Sequence, residues 1–140
     1  MSELRLERIY PISAAELFAY VTEPKNLIKW WGPDGTTATE ADLDLRRPGP
    51  WKLVLQSPRG PFTMQGEVLS VSAPHMVEFT MNVPGSATDS TVRFEIAPLD
   101  GGRAQLTLIQ SGITDEMVEM GKRGWGSTLD RLQRLVGSAA

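Results

Sequence analysis

Cysteine is absent from this sequence, histidine occurs once, and no apolar run is long enough to cross a bilayer. Without cysteine there are no disulfides, no thiol nucleophile and no cysteine-ligated metal, which fits a reducing compartment. The lone His75 cannot form a metal site by itself, and no His/Glu cluster at ligand spacing accompanies it. No metal and no other cofactor is therefore expected. His75 follows Pro74 at the start of an apolar stretch and reads as a solvent-facing turn residue. A membrane helix needs roughly 18 apolar residues or more, and the first residues, "MSELRLERIYP", are charged from Glu3 onward. Neither membrane insertion nor a signal peptide is expected, and the cytoplasm is the expected location. A basic surplus is missing as well: 14 Lys and Arg stand against 17 Asp and Glu, for a net charge of −3. Nucleic-acid binding draws most of its affinity from phosphate neutralisation, so no nucleic-acid partner is expected. The glycines of "GKRGWGS" lie inside a helical pattern with no strand before them, which matches neither a phosphate loop nor a dinucleotide fingerprint. Serines fall mostly in turns, and nothing places one beside His75, so no nucleophilic triad and no catalytic residue is identified.

What is present is an ordinary globular composition, 41% hydrophobic and 22% charged over 140 residues. That length predicts one domain over residues 1–140, with 137–140 as a loose tail. "ELRLERIY" reads as a first strand ended by Pro11. Ser13 with Glu16 three residues later forms a capping box for a short helix, and Leu17, Phe18 and Val21 make its apolar face. Pro24 opens a second short helix, where its missing N–H costs nothing, and Gly32-Pro33 ends it. "TATEADLDL", "WKLVLQS", "FTMQGEVLSVS", "MVEFTMNV", "STVRFEIAPL" and "AQLTLIQSG" then read as strands, separated by "SPRGP", "SAPH", "VPGSATD" and "LDGGR". Asp100-Gly101-Gly102 is the strongest hairpin signal. From Thr114, an N-cap with Asp115 and Glu116 behind it, a helical period carries Met117, Gly121, Gly124/Trp125, Thr128, Leu132 and Leu135 on one face until Gly137. The fold class is thus α+β: an antiparallel meander whose dry face must be covered by the long C-terminal helix.

Several of these segments together carry a resemblance. "YPISAAELFAYVTEPKNLIKWWGP", an Arg-Pro-Gly-Trp approach to a strand and a late "GWGSTLDRL" helix resemble the family of activators of heat-shock chaperone ATPase. That family belongs to the START-like, helix-grip (SRPBCC) superfamily, which also holds polyketide cyclases and the birch-pollen allergen. The resemblance runs from Leu4 to about Val136. It implies a curved antiparallel sheet with two short N-terminal helices, gripping a long C-terminal helix over a cavity. It is specific for fold and weak for activity, because one scaffold serves carriers, enzymes and co-chaperone modules. The family's Arg-x-Gly-Gly-x-Trp pattern appears here as Arg46-Arg47-Pro48-Gly49-Pro50-Trp51, which stiffens the turn. Either Arg46 or Arg47 takes the family's arginine position, as a polar group at the cavity edge.

Alternation assigns Trp51, Leu53 and Leu55, then Phe62, Met64, Gly66 and Val68, then Val77, Phe79 and Met81, then Val92, Phe94 and Ile96, and Leu106 and Leu108, to the covered face. Glu78 and Glu95 fall on the opposite, wet face. From these, the helix face and the cavity that the resemblance implies, whose mouth it places near the Trp30-Trp31 pair, the expected cavity lining is Trp30, Trp31, Trp51, Leu53, Met64, Phe79, Met81, Phe94, Met117, Gly121, Trp125 and Thr128. Gly121, Gly124 and Gly126 each cost about 1 kcal/mol of helix propensity relative to alanine, so the helix either packs tightly there or leaves room for a guest. Consecutive residues of a helix point about 100° apart. One tryptophan of the Trp30-Trp31 pair is therefore expected in the core and its neighbour at the cavity rim. The leading expectation is a non-enzymatic domain holding a small hydrophobic or aromatic molecule. The alternatives are a cyclase- or hydratase-type enzyme and a module that contacts a chaperone ATPase, in each case as a monomer or weak homodimer.

Overall fold

Alternation along the strands and capping at the helix starts decide the architecture of the computed structural model, which describes residues 2–32, 35–82 and 89–137. Pro33, most of the "VPGSATD" turn and tail residues 138–140 lie outside the described residues. Strand β1 (Ser2–Tyr10) leads into α1 (Ala14–Thr22) and α2 (Pro24–Trp30). Six strands follow: β2 (Thr37–Asp42), β3 (Gly49–Ser57), β4 (Gly60–Ser72), β5 (Met76–Met81), β6 (Ser90–Leu99) and β7 (Arg103–Ile113). The long α3 (Asp115–Val136) closes the chain. The sheet order is β1-β7-β6-β5-β4-β3-β2, antiparallel throughout. This is the expected α+β helix-grip architecture, and register breaks in β2 and β4 add local twist to the sheet's curvature.

The local reasons follow the sequence closely. The Ser13 hydroxyl accepts the Glu16 amide at 3.2 Å and donates to the Glu16 carboxylate at 3.0 Å, so the capping box closes through the side chains. Pro24 sits in the first turn of α2. Gly32 ends that helix at φ +102°, a conformation that favours glycine, and a Cβ there would meet Thr36 Oγ1 at 2.6 Å. Thr114 caps α3, its hydroxyl accepting the Met117 amide at 3.3 Å. A 3-10 turn over Asp100–Gly102 joins β6 to β7 at the expected hairpin.

Burial alternates as the strands require. Trp51, Leu53 and Leu55 of β3, Val77, Phe79 and Met81 of β5, and Val92, Phe94 and Ile96 of β6 all face the core. Helix α3 is uneven along its length. Its second half buries Trp125, Thr128, Leu129, Leu132 and Val136, whereas none of residues 115–124 is fully buried. The C-terminal half of α3 is thus clamped to the sheet, and its N-terminal half leaves one side open.

Strand β4 contributes the other open side. Its pairing with β5 covers only Val68 to Ser72, and β5 ends at Met81. Beyond that ladder side chains supplement the backbone: the Asn82 backbone amide donates to the Gln65 carbonyl at 3.0 Å, while Thr80 Oγ1 accepts the Glu67 amide at 2.9 Å and Asn82 Oδ1 the Gln65 amide at 2.8 Å. Asn82 also donates to the Thr63 carbonyl at 3.1 Å. These bonds satisfy backbone groups that would otherwise be orphaned and keep the outer part of β4 attached to the end of β5.

Candidate functional site

Between the outer part of β4 and the first half of α3 lies a cleft of about 380 Å³. Phe62, Thr63 and Met64 form the β4 wall, and Met117, Met120, Gly121 and Gly124 form the helix wall. Trp31, Trp125, Met81, Gln110 and Thr128 line it from the core side, with Gly32, Asn82 and Ile113 completing the boundary.

The floor rests on an aromatic cluster centred on Trp31. Its ring centroid lies 5.7 Å from Trp51, 5.8 Å from Phe79, 6.2 Å from Phe94 and 5.7 Å from Trp125, all within the range where tilted and edge-on aromatic contacts are attractive. The Arg131 guanidinium donates to the Gly32 carbonyl at 2.9 Å and to Thr36 Oγ1 at 3.2 Å, tying α3 to the turn that follows Trp31.

The polar groups at depth are already engaged. Trp125 Nε1 donates to Gln110 Oε1 at 3.0 Å, Gln110 Nε2 to Ser90 Oγ at 2.9 Å, and Ser90 Oγ to the Met81 carbonyl at 3.1 Å. The Thr128 hydroxyl donates back to the Gly124 carbonyl at 2.8 Å. Among the described residues no buried side-chain nitrogen or oxygen lacks a partner. An occupant therefore meets an apolar surface whose internal hydrogen bonds need nothing from it. No Asp, Glu, His, Lys or Arg is among the described lining residues.

The three helix glycines separate by role. A Cβ on Gly121 would meet Leu4 Cδ1 at 2.8 Å, which marks close approach to β1. A Cβ on Gly124 would find nothing within 4 Å among the described residues, because that position faces the cleft. At Gly126 the nearest atom is Arg8 Nη2 at 3.7 Å, an ordinary contact. Tight packing and space for a guest thus occur one helical turn apart.

Of the residues expected to line a cavity, Trp31, Met64, Met81, Met117, Gly121, Trp125 and Thr128 are brought together on this cleft. Trp51, Leu53, Phe79 and Phe94 are buried and do not line it. Trp30 is also fully buried, its indole Nε1 donating to the Tyr20 carbonyl of α1 at 2.9 Å. The expectation of a rim tryptophan is corrected. Trp30 is 0% and Trp31 2% exposed, so the second ring is a floor and no gate.

Arg46 and Arg47 are also placed differently from the expected cavity edge. Both are exposed, line no part of the cleft and pair with Asp44, at 2.9 Å from Arg46 Nε and 3.2 Å from Arg47 Nη2. The guanidinium hydrogen bonds from Arg46, helped by its backbone amide and by the charge of Arg47, hold the Asp44 carboxyl down from its ordinary 3.8 to about 2. A carboxyl lowered on folding stabilises the protein fully above its unfolded value, and the contribution fades as pH falls from about 4 to 2. Asp44→Asn is accordingly expected to cost about 1–2 kcal/mol at pH 7, less than the full shift implies because water screens the pair. Urea midpoints of the two proteins at pH 7 should differ and should converge towards pH 2.

The remaining carboxylates and the histidine lie elsewhere. Glu40, Asp42 and His75 are exposed. Arg93 pairs with Glu78 at 2.9 Å and Glu95 at 3.3 Å on the outer face of the sheet. The described residues hold no cluster of three or more His, Cys, Asp or Glu side chains that could bind a metal ion. No helix among them is long and apolar enough to cross a membrane.

Sequence reasoning left Gln110 out. Its signal was nonetheless present: Leu106, Leu108 and Gln110 share one strand phase, so an amide on the dry face had to find internal partners. Asn82, Ile113 and Met120 had no such signal, because they join the cleft only through the relative placement of β4, β7 and α3.

Comparison with known proteins places this geometry. The family described as activator of Hsp90 ATPase homologue 1-like protein matches residues 11–137. Among solved structures, an AHSA1 protein from Silicibacter pomeroyi is 32% identical with a TM-score of 0.89, covering 99% of this chain and 100% of that one. A protein from Chromobacterium violaceum is 24% identical with a TM-score of 0.84, covering 96% of each chain. An AHSA1-like protein from Aeromonas hydrophila reaches a TM-score of 0.79 at 19% identity, covering 99% of this chain and 94% of that one. The last two likenesses speak to the fold alone. No curated protein matches the sequence.

Proposed function

Because the chain belongs to the activator of Hsp90 ATPase homologue 1-like family, whose scaffold suits a ligand-binding or co-chaperone-type domain, we propose that it binds a small hydrophobic or aromatic molecule in the cleft between β4 and α3. The observation that carries this reading is Gly124. It costs the helix about 1 kcal/mol relative to alanine, no neighbour among the described residues requires its small size, and it faces the cleft. The cleft's size, about 380 Å³, falls in the range of small-molecule sites. Its satisfied polar groups and uncharged walls favour a neutral, largely apolar ligand, bound by removal of apolar surface from water. We take residues 1–140 to act as one domain.

Proton-transfer chemistry has little support, since Glu40, Asp42 and His75 are exposed and Glu78 is paired to Arg93 outside the cleft. A docking face for a chaperone ATPase gains none from the exposed large apolar residues. Ile9, Ile28, Leu69 and Met120 sit on four different elements.

The test uses N-phenyl-1-naphthylamine, a neutral dye that brightens in apolar surroundings. Wild type should bind it and show a rise in melting temperature. Gly124→Phe fills the cleft and should weaken binding at least about tenfold, while Gly124→Ala should raise stability by about 0.5–1 kcal/mol and leave the dye site largely open. Equal binding by wild type and Gly124→Phe would move the site elsewhere. No dye binding and no thermal shift across a panel of neutral aromatics and lipids would sink the carrier reading.

A further inference from the structure

The cleft that this reading assigns to a ligand is built around thioethers. Met64, Met81, Met117 and Met120 all line it, four of the six methionines in the sequence, and they come from β4, β5 and α3. Their exposure is graded: Met120 is 64% exposed, Met64 and Met117 are half-buried, and Met81 is 7% exposed. The chain has no cysteine, so these thioethers carry its sulfur redox chemistry.

Resting on the proposed ligand site, we infer that Met120, backed by Met117, is a reversible oxidation site that turns ligand binding off. The co-reactant is hydrogen peroxide. A sulfur lone pair attacks one peroxide oxygen and the O–O bond breaks. That oxygen stays on sulfur as the sulfoxide, and the other leaves as water once protons are redistributed. Sulfur is oxidised by two electrons and the peroxide is reduced by two.

The consequence follows from the cleft's polar bookkeeping. A sulfoxide oxygen is a strong acceptor and needs a donor or water. The donors at depth, Trp125 Nε1, Gln110 Nε2 and the Thr128 hydroxyl, are engaged with Gln110 Oε1, Ser90 Oγ and the Gly124 carbonyl. An oxidised Met120 or Met117 therefore keeps its S–O group in water at the mouth, wetting the wall that an apolar ligand must cover. The same flexible, polarisable side chains that let a thioether wall adapt to varied guests make it sensitive to peroxide. Outward-facing Met76, whose sulfur lies 4.0 Å from Ser70 Oγ, lines no part of the cleft and is an internal control.

The experiment titrates wild type, Met76→Leu and the double variant Met117→Leu/Met120→Leu with N-phenyl-1-naphthylamine, before and after graded hydrogen peroxide. Peptide mass spectrometry locates each added oxygen. Leucine nearly conserves volume and far-UV circular dichroism checks the fold; because Met117 and Met120 line the cleft, each protein's affinity after oxidation is read against its own unoxidised value. Met120 should oxidise ahead of Met81. Wild type and Met76→Leu should then lose affinity about tenfold, recover it with methionine sulfoxide reductase, and the double variant should keep it. Full dye binding by protein carrying Met120 sulfoxide overturns the inference and leaves the ligand site standing. So does equal loss of binding by the double variant, or failure of Met120 to oxidise where free methionine does. Absence of dye binding by unoxidised wild type removes the ligand site itself, and the inference with it.

Discussion

Replacing Trp31 by alanine is expected to destabilise the protein by about 4 kcal/mol, near the top of the range for core substitutions. The ring stands between four other aromatic side chains of β3, β5, β6 and α3, at centroid separations from 5.7 to 6.2 Å. It also touches Trp30 at 5.9 Å. Its removal empties the volume under the cleft and leaves the Arg131 tie holding a turn with nothing beneath it. Chemical denaturation should show the loss as a lower midpoint with an unchanged slope. Trp30 supplies the contrast. Trp30→Phe loses the hydrogen bond to the Tyr20 carbonyl and should cost about 1–2 kcal/mol, yet leave dye binding intact, since Trp30 lines no part of the cleft. A Trp31→Ala protein within 1 kcal/mol of wild type would falsify the central role given to this ring.

Gly66→Ala should be nearly as damaging, by about 3 kcal/mol or more, for a different reason. A Cβ at this position would lie 1.9 Å from the Thr80 carbonyl oxygen and 2.6 Å from its carbon, and backbone cannot step aside as a side-chain tip can. The same carbonyl accepts the Trp51 indole N–H at 3.0 Å, and Trp51 is the cross-strand partner of Gly66. The substitution thus pushes β4 and β5 apart beside the bond that positions Trp51. Three Gly→Ala variants should rank by what their Cβ meets: Gly124→Ala more stable than wild type, Gly121→Ala close to neutral because only the flexible end of Leu4 must move, and Gly66→Ala severely destabilised. A different order in thermal or urea unfolding would show that propensity, not contact, governs these sites.

Both predictions bear on how far the site could be read in advance. Strand phase identified the dry face correctly at Phe79, Met81, Phe94 and Leu108, because side chains alternate with a period of two. Phase says nothing about depth. Phe79 and Met81 are two residues apart on one face, yet Phe79 is sealed beneath Trp31 and Met81 reaches the cleft. The difference arises from where α3 crosses the sheet relative to β4 and β5, which is a long-range outcome. Arg46 and Arg47 were assigned to the cavity edge through the family pattern, whereas the nearby Asp44 draws both away.

By itself the sequence determined the element order, the capping of α1 and α3, the hairpin at Asp100 and the identity of the dry face, since each rests on contacts within a few residues or on a simple period. It also determined that His75 could not build a metal site alone and that cysteine chemistry was absent. Only the tertiary structure decided that the tryptophan pair is core and floor, that a Cβ at Gly121 would meet Leu4 while Gly124 is open, and that methionines from three elements line one cleft. Those features depend on distances between segments far apart in the chain, where a shift of an ångström separates a packed contact from a space able to hold a guest.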